Sequence, residues 1–263
     1  IREILIISTP FDLPGFKRLL GDGSDYGVKF EYAEQPSPDG LAQAFTIGAD
    51  FIGNDAACLV LGDNVFFGQD MTKYLRRAIE NLKGATVFGY PVMDPRAFGV
   101  VEFDKDFNVL SIEEKPKEPK SNKASMGIYV FSTEALIEAI ESNADIEDLD
   151  FGMHIIPKMI DTKNVYAYEY YDYWMDVGTY DAYLETNLEL CGDTQLDLYD
   201  PSWKIYTKSE DLPPVKVGNR ATITNSLISN GCKIDGTVEH SVLSPGVIVG
   251  KGTIIKDSVI LND

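Results

Sequence analysis

The sequence predicts an α/β protein with a doubly wound, mostly parallel sheet, followed by a short left-handed parallel β-helix. In the first third of the chain, short apolar runs alternate with segments of helical period, as in consecutive βαβ units. One of these runs, Leu59–Leu61, ends just before Asp63. Near the C-terminus, three similar segments begin at Asn225, His240 and Asp257. Their spacings of 15 and 17 residues favour a coil of three short strands over three irregular hairpins.

The N-terminal half is predicted to alternate strands with helices. Strands are expected at Ile4–Ile7 and Val28–Tyr32, and helices at Leu13–Leu20 and Leu41–Phe51. The next strand carries Asp63 to its C-terminal end. In open α/β sheets this edge lines the ligand crevice, so Asp63 is a candidate ligand residue, although a plain Asp-Asn turn fits the same letters.

The pattern becomes less regular before the chain reaches its C-terminal repeats. A helix is expected over Phe151–Ile160, with Pro157 near its middle, and another over Tyr180–Leu190, capped by Thr179. Several prolines and no periodicity mark residues 191–216 as a linker. The predicted domains are therefore an α/β domain over residues 1–190, the linker, and a hexapeptide-repeat β-helix over residues 217–263.

Composition excludes several classes of partner. The 263 residues carry a net charge of −19, with a pI near 4.4, whereas nucleic-acid grooves and anionic membrane surfaces need clustered Lys and Arg. No apolar run reaches membrane-spanning length. Three cysteines without CxxC spacing favour a reducing compartment, so we expect a cytoplasmic protein. Any phosphate-bearing ligand must be held by a few cations, backbone amides or a metal ion.

Two acidic strand ends are the first candidate site. Asp63 in Leu-Gly-Asp-Asn and Asp176 in Trp-Met-Asp-Val-Gly-Thr each lie close to a glycine. Two carboxylates at one sheet edge suit Mg²⁺, which takes one or two carboxylates and leaves its other positions to phosphate and water. The alternative is that they are two unrelated turn aspartates.

Two further segments are candidate binding sites. In Glu113-Glu114-Lys115-Pro116, the lysine suits a sugar phosphate and the carboxylate suits sugar hydroxyls, although such runs are often solvated turns. In the loop that begins at Gln35, the amide offers the donor and the acceptor that a nucleobase edge requires, and Gly40 permits close approach. His154 and His240 have no metal-ligand spacing and are interpreted as structural.

Together these segments resemble the sugar-1-phosphate nucleotidyltransferase family over nearly the whole chain. Residues 1–124 are similar to glucose-1-phosphate thymidylyltransferases in IREILIISTP, QPSPDGLAQAF, LVLGDNVFFG and SIEEKPKEPKSN. Residues 125–263 are instead similar to glucose-1-phosphate adenylyltransferases in SMGIYVF, DFGMHIIPKMI and YWMDVGTYDAYLETNLEL. The resemblance implies a Rossmann-like nucleotidyltransferase fold and a homo-oligomer, which is a tetramer in the family.

The resemblance also assigns roles to the candidate residues. It implies that Gln35 and Gly40 contact the nucleobase, and that Asp63 and Asp176 hold Mg²⁺, with Asp63 also at the nucleotide. Glucose 1-phosphate would be held by three residues: Gly99, Glu114 and Lys115. The catalytic residues implied in this way are Asp63, Lys115 and Asp176.

The chain departs from the family at its N-terminus, and this keeps more than one function open. The family's G-x-G-T-R-L loop, which grips the triphosphate, would precede Ile1, so we expect an N-terminally truncated domain. The favoured function is nucleotidyl transfer from dTTP to glucose 1-phosphate, giving dTDP-glucose; the alternative is transfer from ATP, giving ADP-glucose for glycogen synthesis. A non-catalytic fragment that still binds sugar phosphate is a second hypothesis. An acyltransferase built on the β-helix is a weaker one, because His240 is the only histidine in the repeats.

Overall fold

A computed structural model describes most of the chain. The described residues are 1–37, 39–68, 70–143, 145–146, 149–162, 165–205 and 210–262. They form two compact units. The first unit comprises Ile1–Leu61 and Asp70–Tyr171, and the second comprises Gly62–Gln69 and Asp172–Asp263.

Strands and helices alternate through the first part of the chain, as the sequence predicts. The strands before the repeats are β1 (Glu3–Ser8), β2 (Lys29–Glu34), β3 (Ala57–Val60), β4 (Asn64–Phe67), β5 (Ala85–Pro91), β6 (Gly99–Phe103), β7 (Val109–Glu114), β8 (Lys123–Phe131), β9 (Val165–Glu169) and β10 (Tyr173–Asp176). The helices are α1 (Leu13–Leu20), α2 (Gln43–Ile47), α3 (Ala49–Ile52), α4 (Met71–Glu80), α5 (Thr133–Glu141), α6 (Ile156–Thr162) and α7 (Tyr180–Glu189). Thr179 caps α7, because its Oγ1 accepts the N–H of Ala182 at 3.2 Å.

The main sheet is mixed, and the prediction of a mostly parallel sheet is wrong in this respect. Its strand order is β7-β6-β8-β5-β9, with β3 also paired to β8. β5 and β9 are parallel, whereas β3, β5 and β6 all pair antiparallel to β8. The reason is that the strand–helix alternation ends after β5, and the antiparallel pair β6–β7 then leads into a strand inserted in the opposite direction. β1 and β2 form a separate parallel pair.

The main sheet is buried on both faces, and one large hydrophobic cluster packs against it. Three phenylalanines from different elements pack edge-on or tilted at its centre, with ring centroids 5.3–5.7 Å apart: Phe45, Phe131 and Phe151. The buried side of α5 contributes Ala135, Leu136 and Ala139 to the same cluster. Among the described residues, no helix is long and apolar enough to cross a bilayer.

The segment around Pro157 is helical without a break, as predicted, but its first turn is not α-helical. Phe151–Ile155 forms a π-helical turn that passes directly into α6 at Ile156, so Pro157 lies near the middle of the helical residues 151–162. Proline has no N–H to donate and its ring crowds the carbonyl group four residues earlier, which fits the change from π-helical to α-helical geometry just before Pro157.

The C-terminal repeats form a three-sided coil. Its strands are β11 (Lys216–Val217), β12 (Thr222–Thr224), β13 (Leu227–Ile228), β14 (Lys233–Ile234), β15 (Thr237–Glu239), β16 (Val242–Leu243), β17 (Ile248–Val249), β18 (Ile254–Lys256) and β19 (Val259–Ile260). Each side is a three-stranded parallel sheet, with orders β11-β14-β17, β12-β15-β18 and β13-β16-β19. This arrangement is consistent with the predicted left-handed β-helix.

One corner of the coil explains the repeat seen in the sequence. Asn225, His240 and Asp257 occupy equivalent turns with φ values of 46°, 43° and 47°. Asn and Asp tolerate this left-handed conformation better than other residues with a Cβ. His240 Nδ1 lies 2.7 Å from Asp257 Oδ1, and His154 Nδ1 accepts the N–H of Asp150 at 3.1 Å. Both histidines thus have local hydrogen bonds.

Candidate functional site

The two predicted metal ligands lie at adjoining ends of two neighbouring strands of the second unit, Asp63 just before β4 and Asp176 at the end of β10. β4 and β10 pair antiparallel, and Asp176 stands opposite Asn64 in their register. Just beyond the paired residues, the N–H of Val177 donates to the carbonyl oxygen of Asp63 at 2.9 Å. Strand pairing therefore brings together two carboxylates that are more than a hundred residues apart in sequence.

Gly178 keeps the space between these carboxylates open. A Cβ atom placed on Gly178 would lie 3.0 Å from Asp63 Oδ2 and 3.1 Å from Asp176 Oδ1. Any side chain at this position would thus crowd both oxygens. No cluster of three or more His, Cys, Asp or Glu side chains with metal-binding geometry occurs among the described residues. Two carboxylates are nonetheless the protein ligands expected for Mg²⁺, whose remaining coordination positions are filled by water and phosphate oxygens.

Hydrogen bonds from neighbouring residues orient both carboxylates. The indole N–H of Trp174 donates to Asn64 Oδ1 at 2.7 Å, so the Asn64 amide must turn its nitrogen the other way. That nitrogen donates to Asp63 Oδ1 at 2.8 Å. On the other strand, the N–H of Gly178 donates to Asp176 Oδ1 at 2.9 Å. Sequence reasoning missed Asn64 and Trp174 in this role, although Asn64 follows Asp63 directly and Trp174 lies two residues before Asp176.

The predicted sugar-phosphate residues lie together in the first unit. Gly99 and Glu114 are paired at the ends of β6 and β7. A Cβ on Gly99 would lie 2.9 Å from Glu114 Oε2, so glycine leaves room for that carboxylate. Lys115 follows with φ 45°, and its Nζ lies 3.6 Å from Glu114 Oε1. The Lys115 side chain is 66% exposed, so its charge is accessible to a ligand.

Three polar residues that the sequence did not indicate lie near Glu114. We call the set Glu114, Ser125, Tyr129 and Asp150 the Glu114 cluster. A Cβ on Gly152 would lie 3.3 Å from Glu114 Oε2 and 3.4 Å from Asp150 Oδ1, so the two carboxylates flank that glycine.

Tyr129 is the buried member of the Glu114 cluster. Burial raises the pKa of Tyr129 to about 12, and the charges of Asp150 and Glu114 act in the same direction. Its hydroxyl lies 3.0 Å from Ser125 Oγ. The phenol is therefore protonated at neutral pH and available as a hydrogen-bond partner. Carboxylates and hydroxyls beside an exposed lysine are the groups that would bind sugar hydroxyls and a phosphate.

The predicted nucleobase residues also lie in the first unit. Gln35 follows β2, and its Nε2 donates to the carbonyl oxygen of Gly40 at 3.3 Å. Gly40 has φ 87°, a left-handed conformation that glycine adopts without strain. The predicted site residues thus fall into three groups: Asp63 with Asp176, Gly99 with Glu114 and Lys115, and Gln35 with Gly40. The roles assigned to these residues stay predictions.

Comparison with known proteins identifies the family. Residues 1–192 match the family described as "Nucleotidyl transferase", and residues 213–263 match the "GlmU-like, C-terminal hexapeptide" family. The chain belongs to the nucleotidyl transferase family. The two matches confirm the predicted α/β nucleotidyltransferase domain followed by hexapeptide repeats.

Relatives of this nucleotidyl transferase chain bear two enzyme names. The chain is 60% identical over 136 residues to a glucose-1-phosphate thymidylyltransferase of Neisseria gonorrhoeae, covering 52% of this chain and 47% of the relative. It is 39% identical over 232 residues to a glucose-1-phosphate adenylyltransferase of Clostridioides difficile, covering 85% and 60% respectively. The thymidylyltransferase of Mycolicibacterium smegmatis is 44% identical over 190 residues, covering 71% and 65%. The predicted resemblance to both enzymes is confirmed, and the chain spans 47–65% of these curated relatives.

Proposed function

We propose that this nucleotidyl transferase chain belongs to an enzyme that transfers a nucleotidyl group from a nucleoside triphosphate to glucose 1-phosphate. The observation that carries the proposal is the pair of carboxylates, Asp63 and Asp176, on either side of the open space above Gly178. dTTP is the favoured donor, because the Gln35 loop belongs to the part that resembles thymidylyltransferases. ATP is the alternative donor.

The metal ion in this proposal is Mg²⁺, held by Asp63 and Asp176. When bound, it supplies charge neutralisation to the phosphates of the nucleotide. The hydrogen bonds from Asn64 to Asp63 and from Gly178 to Asp176 hold the carboxylates in place before the ligand arrives. Such preorganisation lowers the reorganisation needed during the reaction.

The acceptor in this proposal is held by Lys115 and the Glu114 cluster. The Lys115 ammonium pairs with the phosphate, while the carboxylates of Glu114 and Asp150 accept hydrogen bonds from sugar hydroxyls. A phosphate oxygen of glucose 1-phosphate forms a bond to the α-phosphorus, the bond from that phosphorus to the bridging oxygen breaks, and pyrophosphate leaves. The protein's own contribution is to bind and orient the two reactants.

Three further properties are part of the same proposal. The domain boundaries stay those expected from sequence, at 1–190, 191–216 and 217–263. The protein is proposed to be a homo-oligomer. Cys58, Cys191 and Cys232 are free thiols, which supports the proposed cytoplasmic location.

Pyrophosphate release and calorimetry test the proposed function. The chain is mixed with glucose 1-phosphate, Mg²⁺ and either dTTP or ATP. Turnover should be lost in Asp63→Asn and Asp176→Asn and kept in the control Asp106→Asn, whose side chain is 67% exposed. Equal rates with dTTP and ATP would refute the argument from the Gln35 loop.

The same measurements separate the non-catalytic hypothesis from the enzyme. Saturable heat with glucose 1-phosphate but no pyrophosphate would assign the chain a sugar-phosphate-binding role only. That outcome should depend on Lys115, because this residue supplies the exposed cation next to Glu114. If neither saturable heat nor turnover is observed, both the enzyme hypothesis and the non-catalytic hypothesis are refuted.

A further inference from the structure

A chain of side-chain hydrogen bonds runs away from the predicted nucleobase residue. Gln35 Nε2 donates to Gln43 Oε1 at 2.7 Å, and Gln43 Nε2 donates to Asp39 Oδ2 at 3.0 Å. The same oxygen of Asp39 accepts the hydroxyl of Ser37. We call Gln35, Gln43 and Asp39 the amide relay. None of the functions proposed above uses Gln43 or Asp39.

The relay has one possible direction, because a carboxylate can only accept hydrogen bonds. Gln43 must therefore turn its Nε2 toward Asp39, and this leaves its Oε1 facing Gln35. Gln35 must in turn direct its Nε2 toward Gln43. The Asp39 carboxylate thus decides which way the Gln43 amide points, and it orients Gln35 together with the carbonyl oxygen of Gly40, which can also only accept.

Both hydrogens of the Gln35 amide nitrogen already have acceptors within the first unit. One goes to Gln43 Oε1, and the other goes to the carbonyl oxygen of Gly40 at 3.3 Å. The remaining polar atom, Gln35 Oε1, has no hydrogen-bond donor among the described residues, and the side chain is only half-buried. Gln35 can therefore offer an incoming ligand an acceptor but no donor.

We propose that Asp39 and Gln43 are positioning residues that fix Gln35 as a hydrogen-bond acceptor, so that the loop selects a base with a ring N–H at this point. This inference rests on the proposed function, in which Gln35 meets the nucleobase. The ring N–H of thymine satisfies the requirement. A pyrimidine whose ring nitrogen carries no hydrogen at this point would place that nitrogen opposite Gln35 Oε1. Both atoms are acceptors, so neither would receive a hydrogen bond.

Two nucleotides of nearly identical shape test the selection. In dTTP the base carries N3–H, whereas in 5-methyl-dCTP the same atom is an acceptor. Calorimetric titration of the chain with each nucleotide, in the presence of Mg²⁺, gives a ratio of Kd values. We expect a ratio of about 10 or more in favour of dTTP, since one unsatisfied polar contact typically costs about that factor.

Variants of Asp39 and Gln43 separate positioning from general damage. Asp39→Asn keeps the shape but can donate as well as accept, so Gln43 can reverse and only the longer, 3.3 Å bond to the carbonyl oxygen of Gly40 still opposes reversal of Gln35. The Kd ratio should fall below about 3, because a reversed Gln35 can donate to the bare nitrogen. Gln43→Glu keeps an acceptor toward Gln35 and should keep the ratio. Asp106→Asn, at an exposed position, is the charge-matched control.

A second measurement does not depend on nucleotide binding. The ¹⁵N-labelled side-chain amide of Gln35 should show slow hydrogen exchange in the wild type and faster exchange in Asp39→Asn. Unchanged Gln35 exchange, or an unchanged Kd ratio in Asp39→Asn, would overturn the relay. Absence of binding by both nucleotides, with the Gln35 amide protected as expected, would overturn the proposed nucleotide site and leave the relay standing.

Discussion

Replacing Gly178 by alanine should weaken divalent-cation binding without destabilising the protein. The added methyl carbon would lie 3.0 Å from Asp63 Oδ2 and 3.1 Å from Asp176 Oδ1. Mg²⁺ needs its carboxylate oxygens at about 2.0–2.1 Å, so both oxygens must stay free to converge on it. A methyl group in that space pushes them apart. We expect cation affinity to fall at least tenfold, which corresponds to about 1.4 kcal/mol.

The same substitution should have little effect on folding. Gly178 is exposed and its φ lies outside the left-handed region, so alanine fits the backbone there. Gly-to-Ala changes at such positions typically raise the free energy of unfolding by about 0.4–1 kcal/mol, because alanine restricts the conformations of the unfolded chain. This gain offsets the crowding of the carboxylates, and the free energy of unfolding should stay within about 1 kcal/mol of wild type.

The assay is a titration with Mn²⁺, in which free metal is measured by electron paramagnetic resonance, paired with urea unfolding. Gly192→Ala is the matched control, because its Cβ would first meet the carbonyl oxygen of Glu189 at 3.8 Å. It should bind Mn²⁺ like the wild type. Equal Mn²⁺ affinity in Gly178→Ala and wild type would refute the reasoning, and so would an equal loss in both variants.

Three further predictions concern other parts of the chain. Lys115→Ala should weaken glucose 1-phosphate binding about tenfold or more, because a charge-assisted contact to the phosphate is lost. Calorimetry measures the affinity, and Lys105→Ala is the exposed control. Equal affinities in the two variants would contradict this prediction. Thr186→Val should raise the urea midpoint by an amount that corresponds to about 1 kcal/mol in the free energy of unfolding. The reason is that the buried Thr186 Oγ1 has no hydrogen-bond partner in the described structure. An unchanged or lower midpoint would contradict this prediction. Burial raises the pKa of Cys58 to about 11, so the native thiol should resist iodoacetamide at pH 8. The stability that the neutral thiol contributes should be lost as the pH rises from 9.0 through about 11. Mass spectrometry of native and urea-unfolded protein checks the labelling, and equal labelling rates in the two states would contradict the raised pKa of Cys58.

Helix caps and turns that depend on nearby residues could be predicted from the sequence. The cap at Thr179 follows from one residue type at a helix start. The corner residues Asn225, His240 and Asp257 repeat because each coil needs a turn with positive φ at the same place. In each case the deciding interactions lie within a few residues, or within one turn of a regular repeat.

Features that depend on distant partners could not be predicted in the same way. β8 reads as an ordinary buried strand, and nothing within Lys123–Phe131 shows that it pairs antiparallel with three others. Asp150 lies beside Glu114 only because the turn at Gly152 packs against the end of β7. Likewise, Gln43 reads as a helix residue until the structure shows that its amide turns back toward Gln35.

The carboxylate pair falls between these two cases, and strand register explains why. The sequence marks Asp63 and Asp176 as strand-end acids, but their meeting requires β10 to pair with β4 in one particular register. A slip of one residue would turn every side chain of β10 to the opposite face and carry Asp176 away from Asp63. The bond from Trp174 to Asn64 opposes such a slip, because it joins side chains of the two strands. The position of the candidate metal site is thus determined by strand pairing inside one unit, and the loop glycine only keeps it open.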